Sequence, residues 1–315
     1  MTNASAAHTV DWARAVLAQI DQVVVGKHAE VELCLTAAVA GGHLLIEDAP
    51  GVGKTSLARA LAQALGLSFA RVQCTSDLLP TDILGVTVLG STGQFEFRPG
   101  PIFRQLVLVD ELNRASPRTQ SALLEAMAEG AISIEGSPRA LPTPFLVIAT
   151  QNPLEHAGTY PLPDSQLDRF LLRLSLGYPP ADAERRLIQE DGERGSQPSP
   201  IAAGDEVALL TAQEQARRVR LGPEVADYLA RLVELTRQSE QLAAGASTRG
   251  ALLLARASRA RALLQGRDYV MPDDVKLLAV PCLSHRVTLQ SGRAGAGRRE
   301  AEALLRDLLE RVPVP

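Results

Sequence analysis

The stretch Leu44-Leu45-Ile46-Glu47-Asp48-Ala49-Pro50-Gly51-Val52-Gly53-Lys54-Thr55 decides the fold. Its three leading apolar residues predict a buried strand. A Gly-containing turn follows, and Ser56 to Leu65 supplies good helix formers, so a helix starts at Lys54. Glycines let backbone N–H groups point inward around a phosphate, and a helix N-terminus adds a favourable dipole. The segment Pro50, Gly51, Val52, Gly53, Lys54, Thr55, Ser56 therefore reads as a phosphate-binding loop. Lys54 would reach the β- and γ-phosphates, and the Thr55 hydroxyl would hold Mg²⁺. The alternative is an ordinary Gly-rich turn with an exposed lysine, which the strand–turn–helix context disfavours. Asp48 stands where the generic G-x-x-x-x-G-K-[ST] pattern begins with glycine.

Outward from this loop, short apolar runs recur at Phe69 to Val72, Leu106 to Val109, Phe145 to Ala149 and Phe170 to Leu176, with helical stretches between them. Continuous apolar runs predict central strands covered on both faces, hence an α/β fold around a parallel sheet. After Tyr178-Pro179-Pro180 the chain becomes Ala/Leu/Arg-rich and helix-patterned, as in Val225 to Leu235, Ala251 to Leu264 and Asp273 to Val280. The expected organisation is an N-terminal helix within 1–22, with Val10 to Ile20 at helical spacing, an α/β nucleotide-binding domain over 23–178, and an all-helical domain over 179–315. Asp191 to Pro200, rich in Gly, Ser and Pro, predicts a surface loop.

A second apolar strand, Gln105 to Val109, ends in Asp110-Glu111. In a parallel sheet, ligands collect beyond the carboxyl ends of the strands. Asp110 is then placed to hold the Mg²⁺ shell and Glu111 to polarise an attacking water. Acidic residues after a strand also serve as helix caps; the preceding phosphate-binding loop favours the catalytic reading. Leu112-Asn113-Arg114-Ala115-Ser116-Pro117 is expected to start a helix running to Glu129.

Composition bounds the class. With 315 residues and 46% hydrophobic content, the chain can bury a sizeable core and accommodates about two domains. The net charge of −4, from 32 Lys+Arg against 36 Asp+Glu, argues against a dominant basic face for nucleic acid. Cys34, Cys74 and Cys282 form no CxxC pair, which excludes a disulfide scaffold or zinc ribbon and fits a reducing compartment. No apolar run approaches the roughly 18 residues a spanning helix needs. Met1 to Asp11 has no apolar signal core. A soluble cytoplasmic protein is expected.

With these motifs the chain resembles the MoxR family of AAA+ ATPases, from about Val23 to Arg286. The characteristic strings are Asp110-Glu111-Leu112-Asn113-Arg114-Ala115, Thr119 to Met127, Ala149-Thr150-Gln151-Asn152-Pro153, Leu162-Pro163 and Gln166-Leu167-Asp168-Arg169-Phe170. In the helical part, Gly245-Ala246-Ser247-Thr248-Arg249 and Gly266 to Val270 are similar too, with Thr248 where the family often has proline. Asp48 falls within the family's own pattern.

The resemblance implies a P-loop core with a helical lid, Mg²⁺-dependent ATP hydrolysis, and a homo-oligomeric ring, a hexamer. It assigns Asn152 as the sensor that positions the lytic water, and Arg249 as the sensor that contacts the γ-phosphate from the lid. Arg169 resembles the arginine finger supplied to the neighbouring subunit, and Val25-Gly26 the segment lining the adenine. Each has a plainer alternative: a polar turn residue before Pro153, a solvated helix arginine, an intrachain partner of Asp168, and the buried start of a helix. The family is regarded as chaperone-like, often with partners containing a von Willebrand factor A domain, so a protein partner of that kind is implied.

Gly85 to Pro101 and Gly130 to Leu141 each predict a β-hairpin. Related rings turn such hairpins toward the pore or a partner, and a plain edge hairpin is the alternative. Two other classes compete. A DNA-acting ring motor would share the hairpins, but the acidic balance and missing aromatic-basic tract argue against it. A scaffold that binds ATP with negligible hydrolysis would not need the intact Asp110-Glu111 pair. The chain also lacks the Asn-Lys-x-Asp segment of a guanine-nucleotide site, and a small-molecule kinase suits the acidic pair, asparagine and helical lid less well.

Overall fold

A computed structural model describes residues 3–91, 93–134, 136–153, 158–191, 205–290 and 297–315 of the protein. Helices α1 (Asn3–Val23) and α2 (His28–Val39) lead into β1 (His43–Glu47), α3 (Lys54–Ala64) and β2 (Phe69–Gln73). Next come α4 (Pro80–Leu84), the hairpin β3 (Gly85–Leu89) and β4 (Phe95–Pro99), then β5 (Leu106–Asp110) and α5 (Pro117–Glu129). A second hairpin, β6 (Ala131–Ile134) and β7 (Ser137–Ala140), precedes β8 (Leu146–Gln151), α6 (Asp164–Leu167) and β9 (Phe170–Leu174). The helical part holds α7 (Ala181–Asp191), α8 (Glu206–Arg218), α9 (Pro223–Gln238), α10 (Thr248–Leu264), α11 (Pro272–Leu283) and α12 (Gly297–Arg311). Within it, short strands β10 (Leu242–Ala244) and β11 (Thr288–Leu289) pair antiparallel.

The five apolar runs form one parallel sheet in the order β2-β5-β8-β1-β9. Alternation along each strand sends neighbouring residues to opposite faces. Leu44, Ile46, Leu106, Leu108, Ile148 and Leu172 join one hydrophobic cluster; Leu45, Val107, Val109, Val147 and Phe170 join another. All of these are fully buried, which explains the apolar runs of β1, β5, β8 and β9; β2, expected as a central strand, instead lies at the edge of the sheet with Arg71 and Gln73 exposed. Each such side chain contributes about 1.5–3 kcal/mol on leaving water. The first cluster continues through α1, α2 and α3 into Leu209, Leu232, Leu254 and Leu305 of the helical part. One face of the sheet thus shares its core with the helices that follow Pro180. Among the described residues, no helix is long and apolar enough to cross a membrane.

Both predicted hairpins are present, in antiparallel register. Three local expectations need correction. The first helix is longer than Val10 to Ile20, because the polar segment before Thr9 carries helix without apolar periodicity. The chain after Glu111 makes only a 3₁₀ turn, Leu112–Arg114, before α5 begins. There the Ser116 hydroxyl accepts from the Thr119 N–H at 3.3 Å and Pro117 occupies the first turn, so the helix starts afresh. Asp191 ends α7 instead of opening a loop, and the rest of that expected loop lies outside the described residues. Helix α2 carries no amphipathic signal in the sequence because seven of its residues, Val31, Cys34, Leu35, Thr36, Ala37, Ala38 and Val39, are buried, leaving no clean polar face.

Two neutral histidines sit in this frame. His43 Nδ1 accepts from the Val147 N–H at 3.0 Å and its Nε2 faces the Met127 carbonyl at 3.2 Å. Burial pushes its pKa down to about 4, against the opposite pull of Met127. His285 is likewise driven well below its ordinary value, by burial and then by Arg286. The unfolded chain takes up these protons near pH 6.5 while the fold refuses them, so the unfolded state binds more protons below that pH. Stability should therefore be complete above about pH 6.5 and decline as pH falls toward 4. Urea unfolding across this range checks it. His43→Asn, whose amide oxygen can still accept from Val147, should flatten the decline; an unchanged slope would exclude His43 as a contributor.

Candidate active site

Strand β1 ends at Glu47, and the chain turns through Gly51 and Gly53 at φ 86° and 91° before α3. A Cβ at either glycine would meet nothing within 4 Å, so it is the left-handed backbone, not lack of room, that requires glycine. Helix α3 has Gly53 as its N-cap, no side-chain cap and no acidic residue in its first turn. Its first N–H groups therefore lack both intrahelical and capping partners, the condition for holding an anion. Lys54 folds over the loop, its ammonium donating to the Asp48 carbonyl at 2.7 Å and the Ala49 carbonyl at 3.1 Å. Burial lowers its pKa, against the pull of Asp110, Asp48 and Glu111.

The acidic pair lies across a cleft of about 380 Å³ lined by Pro50, Gly51, Gly53, Lys54, Thr55, Ser56, Arg71, Gln73, Asp110, Glu111 and Asn152. The size suits a small-molecule ligand. Asp110 ends β5 and is nearly buried. Its Oδ2 accepts from Arg71 Nη2 at 2.7 Å and Nε at 3.2 Å, and its Oδ1 accepts from the Thr150 hydroxyl at 2.6 Å. The same Thr150 oxygen accepts from the Glu111 N–H at 2.9 Å, so one buried hydroxyl of β8 fixes both acidic residues. The Glu111 carboxylate is partly exposed and meets Arg114 Nη1 at 3.0 Å.

Asp48 explains its own departure from glycine. Its carboxylate accepts from the Ala49 N–H at 3.0 Å, the Ser175 hydroxyl at 2.9 Å and the Gly177 N–H at 2.6 Å. Burial raises its pKa, but these hydrogen bonds outweigh that and hold it below the usual carboxylate value. The loop is tethered through Asp48 to the chain leaving β9.

The cleft gathers most of the residues expected from sequence. Val52 is buried behind the loop instead of lining it. Val25 and Gly26 lie outside it, on the turn between α1 and α2. A Cβ on Gly26 would stand 2.8 Å from Pro180 Cδ and 3.2 Å from Ala183 Cβ, so this turn packs on the start of α7. Arg169 donates to the Leu124 carbonyl of α5 and does not pair with Asp168. Asp168 instead meets Arg286 at 2.8 Å and Arg249 at 3.6 Å. Neither Arg169 nor Arg249 lines its own chain's cleft. Arg71 and Thr150 were not anticipated. The only sequence signal for Arg71 is a cation inside an otherwise strand-like run.

A phosphate cradle, a lysine and an acidic pair at the carboxyl edge of a parallel sheet define a P-loop nucleotide-binding protein. Residues 43–172 match the ATPase family associated with various cellular activities (AAA), and 234–308 match the AAA lid domain. The chain is 45% identical to YeaC, an uncharacterized protein of Bacillus subtilis, over 94% of its own length and 92% of that protein. It is 39% identical to chaperone MoxR1 of Mycobacterium tuberculosis, over 99% of this chain and 84% of that one. A crystal structure of a candidate ATPase from Cytophaga hutchinsonii superposes with a TM-score of 0.89 at 32% identity, covering 99% of this chain and 97% of that one. The chain belongs to the MoxR family of AAA+ ATPases.

Glu111 stands out within the site. Among the described residues it is the non-glycine residue with positive φ, at 56°. That conformation costs an L-residue about 1–2 kcal/mol. The half-exposed pair with Arg114 returns only about 0–1 kcal/mol, so packing preferences alone would not select glutamate. Glu111→Gly should therefore raise the unfolding free energy, by up to about 1 kcal/mol after the added chain entropy of glycine. Glu111→Gln should bring no such gain. Chemical denaturation of both variants checks this, and a less stable Glu111→Gly protein would remove strain as the explanation.

Proposed function

We propose that the protein binds ATP with Mg²⁺ in this cleft and hydrolyses it, and that assembly into a homo-oligomeric ring, a hexamer, turns hydrolysis into chaperone-like remodelling of protein partners. The observation that carries the reading is that Lys54, Thr55, Asp110, Glu111 and Asn152 line one cleft.

The donor set suits Mg²⁺. A carboxylate offers about four lone-pair directions. Two bonds from Arg71 on Oδ2 and one from Thr150 on Oδ1 leave one direction of Asp110 open. Thr55 supplies a hard hydroxyl oxygen in the same cleft. Among the described residues, no cluster of His, Cys, Asp and Glu would cage a metal unaided, which suits an ion shared with substrate phosphates. Bound there, Mg²⁺ would supply positive charge to the phosphate oxygens. The N–H groups of Gly51 to Ser56 cradle the phosphates. Lys54 leaves its two loop carbonyls for the β- and γ-phosphates. Glu111 takes up the proton of the attacking water and Asn152 orients that water.

Arg169 serves a neighbouring subunit in this reading, and Arg249, the lid sensor, is proposed to act there with it, because neither lines its own chain's cleft and Arg249 meets Asp168, the residue before Arg169. A trans arginine is worth about 10³–10⁵ in rate in related NTPases. Val25 and Gly26 border the adenine from the turn beside Pro180. The chaperone-like role is supported by the likeness to chaperone MoxR1, and a von Willebrand factor A domain protein is the partner class proposed. A cytoplasmic location is supported by Cys34, Cys74 and Cys282, all buried and free.

Three variants test the site. Lys54→Ala should lose tight ATP binding while remaining folded. Glu111→Gln should bind ATP and lose turnover, because an amide cannot accept the water's proton. Asp110→Asn should raise the Mg²⁺ concentration needed for binding. Nucleotide titration and phosphate release measure all three. Wild-type turnover in Glu111→Gln would remove Glu111 from the catalytic role.

A further inference from the structure

Arg286 lies just beyond the end of α11, far from the cleft in sequence, and its side chain is 1% exposed. It is surrounded by the segment that carries Arg169. Nε donates to Asp168 Oδ1 at 2.8 Å, Nη2 to the Asp168 carbonyl at 3.0 Å and to the Phe170 carbonyl, and Nη1 to the Leu171 carbonyl at 3.3 Å and to the Cys282 carbonyl. One guanidinium therefore holds the backbone on both sides of Arg169. The same side chain touches the helix that bears Arg249. A Cβ on Gly250 would stand 3.0 Å from Arg286 Cδ, so Gly250 makes room for the arginine stem immediately after Arg249. Asp168 closes the arrangement, its two oxygens meeting Arg286 and Arg249.

We infer that Arg286 is a positioning residue which fixes Arg169 and Arg249 relative to each other, so that the two arginines reach the neighbouring subunit's nucleotide as one pre-set pair. The inference rests on the reading of Arg169 and Arg249 as trans residues. A fork of five donors suits the task; a lysine, with three donors on one atom, cannot serve acceptors on so many sides. Arg286 leaves its own chain's cleft untouched, since none of its partners lines that cleft. Its loss should lower kcat at saturating ATP by about tenfold or more, with ATP affinity changed less than about twofold.

The test is complementation in mixed assemblies, with subunit exchange verified by labelled chains. Arg286→Lys subunits keep an intact Glu111, and Glu111→Gln subunits keep an intact arginine pair, so their mixture should regain turnover. Arg286→Lys mixed with Arg169→Ala should stay inactive, because both lack a working pair. A residue that merely held its own subunit together would not sort with Arg169 in this way. If Arg169→Ala with Glu111→Gln regains turnover but Arg286→Lys with Glu111→Gln does not, the positioning role is overturned and the trans reading survives. If Arg169→Ala with Glu111→Gln stays inactive, the trans reading falls and this inference with it. Full turnover of Arg286→Lys alone, or recovery in its mixture with Arg169→Ala, also overturns it. Should Arg286→Lys fail to fold, Asp168→Asn replaces it in the same mixtures with the same expected outcomes.

Discussion

Everything at the site depends on the register of one parallel sheet. Glu47 of β1 lies opposite Gln151 of β8, and Gln73 of β2 opposite Asp110 of β5. That alignment delivers the phosphate loop, the acidic pair and Asn152 to one edge. It also brings the Thr150 hydroxyl within reach of both acidic residues. A slip of one residue would turn Leu45 and Val107 to the wrong core and carry Asp110 to the wrong face. The two hydrophobic clusters hold the register, because Leu44, Ile46, Leu106, Leu108 and Ile148 belong to one and Leu45, Val107, Val109 and Val147 to the other.

Around this edge the charged residues act by fixing position more than by adding stability. Glu47, immediately before the loop, is held by Arg173 of β9 and by Arg298 of α12, whose Nη1 also takes the Glu47 carbonyl at 3.0 Å. Asp48 adds its bonds to Ser175 and Gly177. The base of the loop is thus held from β9, from the chain after it and from the last helix. Burying such ions costs nearly as much as their attraction returns, whereas removing one partner costs about 3–5 kcal/mol. The net effect is a penalty on other arrangements. The Arg286 cluster follows the same logic at the start of β9, the other end of the strands.

The parts of the fold legible in the sequence were those whose signal is local. Apolar runs marked β1, β5, β8 and β9 because strands covered on both faces are apolar throughout, whereas β2, at the sheet edge, shows only Phe69, Ala70 and Val72. Gly51, Gly53 and Lys54 marked the loop because its backbone needs glycine, and Asp110-Glu111 stood out against an apolar strand. Features made by distant segments meeting were not legible. Arg71 becomes part of the site only once β2 pairs with β5. Thr150 looks like any buried threonine until β8 lies beside β5. Arg286 is one of many arginines in a helical tract, and only packing shows that its acceptors flank Arg169. The Asp168–Arg169 pairing considered from sequence gives way for the same reason: Leu124 of α5 takes Arg169, and Arg286 and Arg249 take Asp168, all from distant segments.

The backbone at Asp48 carries a wider consequence. Its φ is not positive, unlike that of Gly51 and Gly53. The first slot of the loop therefore imposes no stereochemical demand for glycine and is open to a side chain that can moor the turn. Described by conformation, the loop is an ordinary residue, then two left-handed ones, then an uncapped helix. Described by letters, it is an exception to a rule. The physical definition embraces both the glycine and the aspartate versions, and it predicts where the alphabet is free to vary: at positions whose torsion angles any L-residue can adopt.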